Sequence, residues 1–193
     1  MPINFARAAL FTLAGLTLAG VSPARAVDID SAFTDLDIDQ CTTMHSDDFG
    51  SVWACPGYKG IPVRIVEGDL RFLVSYGLES AHERAAKQSL PPFNTIGGKI
   101  EWRISNKEGQ WKPFATIVRF FVDKGQGDAP EKQGQVLVVT QIKAGATCHI
   151  AYVDALANAD ANAMAQKVAD EKAGSFDCKN EPEFVGEFLA WKR

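Results

Sequence analysis

The chain has 193 residues, with 20 Lys and Arg against 24 Asp and Glu, and a formal net charge of −4. That mildly acidic balance excludes non-specific nucleic-acid binding through clustered cations, which needs Lys and Arg gathered against phosphates. The length suits one ordinary domain with a short appended segment.

The first residues follow the order of a secretory signal peptide. Met1–Arg7 carries one positive charge at Arg7, Ala8–Val21 is an uncharged apolar run, and Ser22-Pro23-Ala24-Arg25-Ala26 ends in Ala-x-Ala. Small side chains at those last two positions fit the signal peptidase. A spanning helix wants about 20 apolar residues, and this run is shorter. Gly15, Gly20 and Pro23 also weaken it as a core helix. Cleavage after Ala26 is therefore expected, leaving one domain over residues 27–193. The removed segment holds Arg7 and Arg25 and no acid, which moves the net charge to −6. With no cysteine at the cleavage point and no Arg-Arg pair before the apolar run, neither lipid modification nor the twin-arginine route is indicated. No later apolar run approaches membrane length, so the mature form is expected not to span a membrane.

Val27–Gln40 is acidic, with Asp28, Asp30, Asp35, Asp37 and Asp39, and reads as a solvated segment. A calcium loop counted from Asp35 needs Gly at position 6 and Glu at position 12, where Gln40 and Ser46 stand. Asn158-x-Asp160-x-Asn162 fails in the same way, at Ala163 and Ala169.

All four cysteines follow Ala26: Cys41, Cys55, Cys148 and Cys178. An even count in an exported chain reads as two disulfides, for which three pairings exist. Cys41–Cys55 and Cys148–Cys178 are favoured because each closes a modest local loop, worth about 3–4 kcal/mol in the chain-entropy account. A metal site is the competing reading, since Cys41-x-x-x-His45 and Cys148-His149 put thiols near imidazoles. Without Cys-x-x-Cys or His-x3-His spacing, no metal and no cofactor is expected.

From Val52 the pattern becomes β. Ile61–Val66 and Leu70–Tyr76 flank the turn Glu67-Gly68-Asp69 as a hairpin, with Leu70, Phe72, Val74 and Tyr76 on one face. Glu79–Gln88 reads as a short helix stopped by Pro91-Pro92. Lys99–Ser105 alternates as a strand, and Ala115–Val122 is another. Asp123–Gly134 is a polar loop and the segment expected to be most mobile. Gln135–Lys143 and Thr147–Val153 form a second hairpin around Ala144-Gly145-Ala146. A helix runs from about Ala159 to Ala173, with Asn158 or Asp160 able to cap its start and Gly174 suited to its stop. Phe184–Trp191 is a final strand or a docked tail. The sum is an α+β domain: an antiparallel sheet of about six strands, one C-terminal helix packed on it, and two disulfides.

Catalytic signatures are sparse. His82-Glu83 begins like a zinc-protease helix, but Ala86 stands where the partner His belongs. No nucleophile elbow, phosphate-binding loop or dinucleotide fingerprint occurs. Asp47-Asp48 are nearby acids in a polar loop. His149, next to Cys148 on a strand, points to the opposite face and reads as a partly buried, hydrogen-bonded side chain. Most aromatic residues are read as sheet faces. Tyr58, in the turn Pro56–Gly60, and Trp111, beside a Gly-containing turn, are the candidates for a binding surface.

The segments Trp53-Ala54-Cys55-Pro56-Gly57, Glu67-Gly68-Asp69-Leu70-Arg71 and Thr140–Asp154 resemble those of small exported bacterial proteins of uncharacterised function, a resemblance that implies the compartment and no activity. A fainter similarity links the chain to periplasmic inhibitors of c-type lysozyme, through a β-rich exported domain with an aromatic-x-Cys near its start. Their Ser-Gly-x-x-Tyr loop is not present, and Ser75-Tyr76-Gly77 is a loose echo. The expected role is a non-catalytic envelope protein, periplasmic or secreted, that binds a protein partner or small ligand. The alternatives are an enzyme acting on an envelope polymer through Asp47, Asp48 or Glu101, for which two carboxyl groups must face one cleft, and a lysozyme or protease inhibitor.

Overall fold

A computed structural model describes residues 27–125 and 133–191. The signal-peptide segment 1–26 and the centre of the 123–134 loop lie outside the described residues.

Ten strands make two sheets. They are β1 (Ile29–Asp35), β2 (Thr42–Asp47), β3 (Gly50–Pro56), β4 (Pro62–Gly68), β5 (Arg71–Tyr76), β6 (Asn94–Ser105), β7 (Lys112–Val122), β8 (Gly134–Gln141), β9 (Cys148–Asp154) and β10 (Glu183–Val185), with one helix, α1 (Ala161–Lys172), between the last two. The larger sheet has the order β1-β6-β7-β8-β9-β10 and the smaller β2-β3-β4-β5. All pairings are antiparallel except β9 with β10. That exception follows from connectivity: the chain leaves β9, crosses through α1 and returns in the same direction, as a β-α-β unit must.

The fold is α+β, with the six-stranded sheet and its C-terminal helix, and the smaller sheet adds a third layer. One face of the large sheet supplies Ile100, Trp102, Val118, Phe120 and Val138 to a core completed by Val63, Ile65, Val74 and Tyr76 of the small sheet. Its other face packs Ile117, Leu137, Val139 and Val153 under Ala165, Val168 and Ala169 of α1. β9 is therefore buried at every residue, which explains why its sequence lacks a clean polar–apolar alternation. Both expected disulfides form, Cys41–Cys55 and Cys148–Cys178.

Several local expectations change. Val27–Gln40 is not merely a solvated segment. Ile29–Asp35 pairs along its length with β6 as an edge strand. Its acids stay in water while Ala32 packs on the core and Thr34 accepts a hydrogen bond of 2.8 Å from the Trp102 indole. Edge strands need only backbone pairing, so an acidic sequence suffices. Glu79–Gln88 forms turns and a short 3₁₀ segment, Arg84–Lys87, instead of a helix. Its polar groups serve the neighbouring hairpin: the buried Glu83 carboxylate accepts the Gly145 and Thr147 N–H groups at 2.7 and 2.9 Å, and Ala85 N–H donates to Thr147 O. Neither proposed cap closes α1. Asp160 stands at the cap position without a side-chain bond, and Asn158 instead accepts from Glu187 N–H at 3.0 Å, tying down the tail. Gly174 takes the expected left-handed turn at φ 88. The tail is both things at once, a three-residue strand followed by Phe188 and Trp191 docked edge-to-face on their neighbours.

Candidate functional site

The two sheets enclose different environments at their two ends. At the end where β3 meets β4 through Pro56–Pro62, the core is closed by rings. Trp102 is fully buried, with Tyr76 edge-on at 5.5 Å and Tyr58 tilted at 6.3 Å. Gly57 is needed there, because a Cβ would stand 2.8 Å from the Trp102 ring. The sequence candidates Tyr58 and Trp111 both pack partly buried on this core. Lys59 links them, its Nζ donating to Trp111 O at 3.1 Å and lying 5.3 Å from the Tyr58 ring.

The same half holds His149. Register carries one row of residues across the large sheet, Trp102 to Thr116 to Thr140 to His149. His149 is fully buried, with Nδ1 3.0 Å from the Tyr152 hydroxyl and Nε2 without a partner among the described residues. A register shift between Val139 and Thr140 lets two side chains three positions apart share a face. Burial alone pushes the His149 pKa down to about 3, so the imidazole is neutral. Burial likewise raises the Tyr76 hydroxyl.

Of the acids considered for polymer cleavage, Asp47 and Asp48 share a turn of the small sheet, and Glu101 lies on the large sheet. Asp47 sits at the β2–β3 turn, where its Oδ1 accepts Phe49 N–H at 2.8 Å and Gly50 N–H at 3.1 Å. These bonds, with His45 at 2.9 Å, lower its pKa. Asp48 is exposed in the same turn. Glu101 lies on the helix side of the large sheet, accepting from Ser31 Oγ at 2.5 Å and Gln166 Nε2 at 2.7 Å. Arg103 beside it grips Asp170 of α1 through two bonds of 2.8 and 2.6 Å, which raise the guanidinium pKa. This network joins β1, β6 and α1 and is occupied in doing so. No group of three or more His, Cys, Asp or Glu side chains suited to a metal ion occurs among the described residues.

At the opposite end, residues of both sheets line a cleft of about 570 Å³, among them Trp53, Glu67, Leu70, Phe72, Phe93 and Asp123. Such a volume falls in the range of small-molecule sites, roughly 300–1,000 Å³. The register places its floor. Ser51, Glu67 and Phe72 stand side by side on β3, β4 and β5, and Trp53, Ile65 and Val74 form the row beneath. The Trp53 and Phe72 rings are parallel within 10°, with centroids 6.4 Å apart.

The rim is strained. β4 and β5 are joined by Asp69 and Leu70 alone, at φ 51 and 59. Two positive φ angles are the demand of a tight hairpin turn that Asn-Gly or Asp-Gly meets without cost. An L-residue in that region costs about 1–2 kcal/mol, and Leu has no polar side chain to offset it. The turn leaves Leu70 61% exposed. Next to it, Arg71 is pinned by Asp69, by Pro91 O at 3.1 Å and by the Phe93 ring 4.9 Å away. Phe49, 87% exposed, tips the neighbouring β2–β3 hairpin, with its carbonyl against Gly68.

The sequence assigns Trp53 and Phe72 to sheet faces, puts Leu70 on the strand face of Phe72, Val74 and Tyr76, and puts Glu67 in the hairpin turn; in the structure Glu67 belongs to β4 and the turn is made by Asp69 and Leu70, while Phe93 carried no expectation. Two signals mark them. A bulky aliphatic residue fills a two-residue turn, and Glu67 interrupts the inward series Val63, Ile65. No family model, curated protein or solved structure matches the chain.

Proposed function

We propose that this chain is an exported, non-catalytic binding protein, periplasmic or secreted, that holds a small ligand in the cleft lined by Trp53, Phe72 and Phe93. The observation that carries the reading is Leu70, an exposed aliphatic side chain kept in a left-handed turn beside Trp53, Phe72 and Phe93. Of the three described non-Gly residues with positive φ, Lys59, Asp69 and Leu70, two are consecutive at the rim of this cleft, and retained strain of that kind clusters at functional sites. Support for export comes from the two disulfides and from the first strand, which begins at Ile29, just past Ala24-Arg25-Ala26. No described helix is long and apolar enough to cross a membrane.

The test uses the oxidised protein recovered after export, whose mass is expected to match residues 27–193 less four hydrogens. Titration with the neutral fluorophore N-phenyl-1-naphthylamine should give a saturable rise in emission. Trp53→Ala is expected to abolish it and Trp111→Ala to leave it intact. An unsaturable signal, or equal loss in both variants, overturns the assignment of the cleft.

A further inference from the structure

We infer that the ligand of this cleft is a small organic cation, of the alkylammonium class. The inference rests on the cleft being the binding site and goes on to assign the charge of what it takes. Among the described residues lining it, only Glu67 and Asp123 carry charge, and both are acids. Arg71 stands at the rim, stacked on the Phe93 ring and already paired with Asp69 and Pro91 O.

The placement of Glu67 is the decisive feature. It occupies an inward position directly opposite Phe72, with Trp53 on the adjoining strand one row below. A carboxylate turned toward the inside of a sandwich loses hydration and normally finds a partner there. Glu67 is partly exposed, makes no ion pair among the described residues and lines the cleft together with the Trp53 and Phe72 rings. Aromatic faces attract cations through their quadrupole, most strongly Trp, and the attraction grows as water is excluded. Rings and acid thus select the same ligand charge. An anion meets two carboxylates and the negative ring faces. A neutral apolar molecule gains the rings and leaves Glu67 desolvated without compensation. The volume, about 570 Å³, suits a small molecule better than a protein surface element.

The deciding experiment is calorimetric titration with tetraethylammonium chloride and, separately, with its neutral isostere tetraethylmethane dispersed in a low fraction of cosolvent. The cation is expected to bind at least about tenfold more tightly than the isostere, the scale of a desolvated cation–aromatic contact. Its affinity should fall as salt is raised from 20 to 500 mM, because exposed charge attraction is screened. Glu67→Gln should remove most of the preference, while Glu79→Gln, an exposed acid outside the cleft, should leave it unchanged. Circular dichroism and the thermal midpoint of each variant establish that it is folded. Asp123→Asn provides a second, more exposed removal of charge should Glu67→Gln fail to fold. Equal binding of cation and isostere, unaffected by either charge removal, overturns the cation assignment and leaves the cleft as an apolar site. Binding of neither, together with no response to the naphthylamine, overturns both.

Discussion

The two ends of the sandwich use the same residue types to opposite effect. At the closed end, Trp102, Tyr76 and Tyr58 meet edge-on or tilted, the indole N–H is bonded to Thr34, and Gly57 lets the backbone approach the ring. At the cleft end, Trp53 and Phe72 lie parallel and partly buried, with a carboxylate between their strands and two consecutive left-handed residues at the rim. Edge-to-face rings with satisfied polar atoms stabilise a core. Parallel, partly exposed rings on the lining of a cleft, beside an acid without an ion pair among the described residues, leave part of their surface for something else. An aromatic residue in a β domain is therefore not evidence for a site or for a core until its partners are known.

The comparison breaks most visibly under truncation. Trp102→Ala should destabilise by about 3–5 kcal/mol, the cost of emptying a fully buried aromatic site. Trp53→Ala should cost less than half as much in the same urea titration while abolishing probe binding. Equal destabilisation by the two would mean that the ends are both core.

Acid should sharpen the contrast from the closed side. His149 has a folded pKa near 3, against about 6.5 for an unperturbed imidazole. Between those values the unfolded chain binds the proton and the fold does not, so stability is full above about pH 6.5 and falls as pH drops toward 3. By pH 4 the loss from this group is about 3 kcal/mol. His149→Gln, which keeps a group able to bond Tyr152, should flatten the dependence of the urea midpoint over that range. An unchanged slope would remove His149 as its cause.

The smallest effect has the most informative sign. Leu70→Gly relaxes a positive φ that Gly adopts freely, and should raise stability by about 1 kcal/mol. The same substitution removes an apolar rim and should weaken naphthylamine binding several-fold. A variant that is less stable and binds as well would show that Leu70 is held for packing, not for a ligand.

Much of the scaffold was readable in advance because it rests on local chemistry. Alternation in Lys99–Ser105 marked β6, the Ala-rich stretch ending at Gly174 marked α1, and two short cysteine loops implied both disulfides. The second sheet was partly concealed. β2 is exposed at every residue, so it carries no hydrophobic periodicity, and its place is set by pairing with β3. The Glu79–Gln88 stretch misled because Glu83 and Ala85 bond to the Thr147 turn, a contact more than sixty positions away in sequence.

The candidate site was less legible. Trp53, Glu67, Leu70, Phe72 and Phe93 are ordinary strand and turn residues when read along the chain. Periodicity and cysteine spacing were enough to indicate the α+β class and the two crosslinks, because each depends on neighbours close in sequence. Which aromatic residues are fully buried, as Trp102 and Tyr76 are, and which line a cleft, as Trp53, Phe72 and Phe93 do, was decided only when the two sheets packed on each other. That packing joins strands distant in sequence, and no short stretch of residues encodes it.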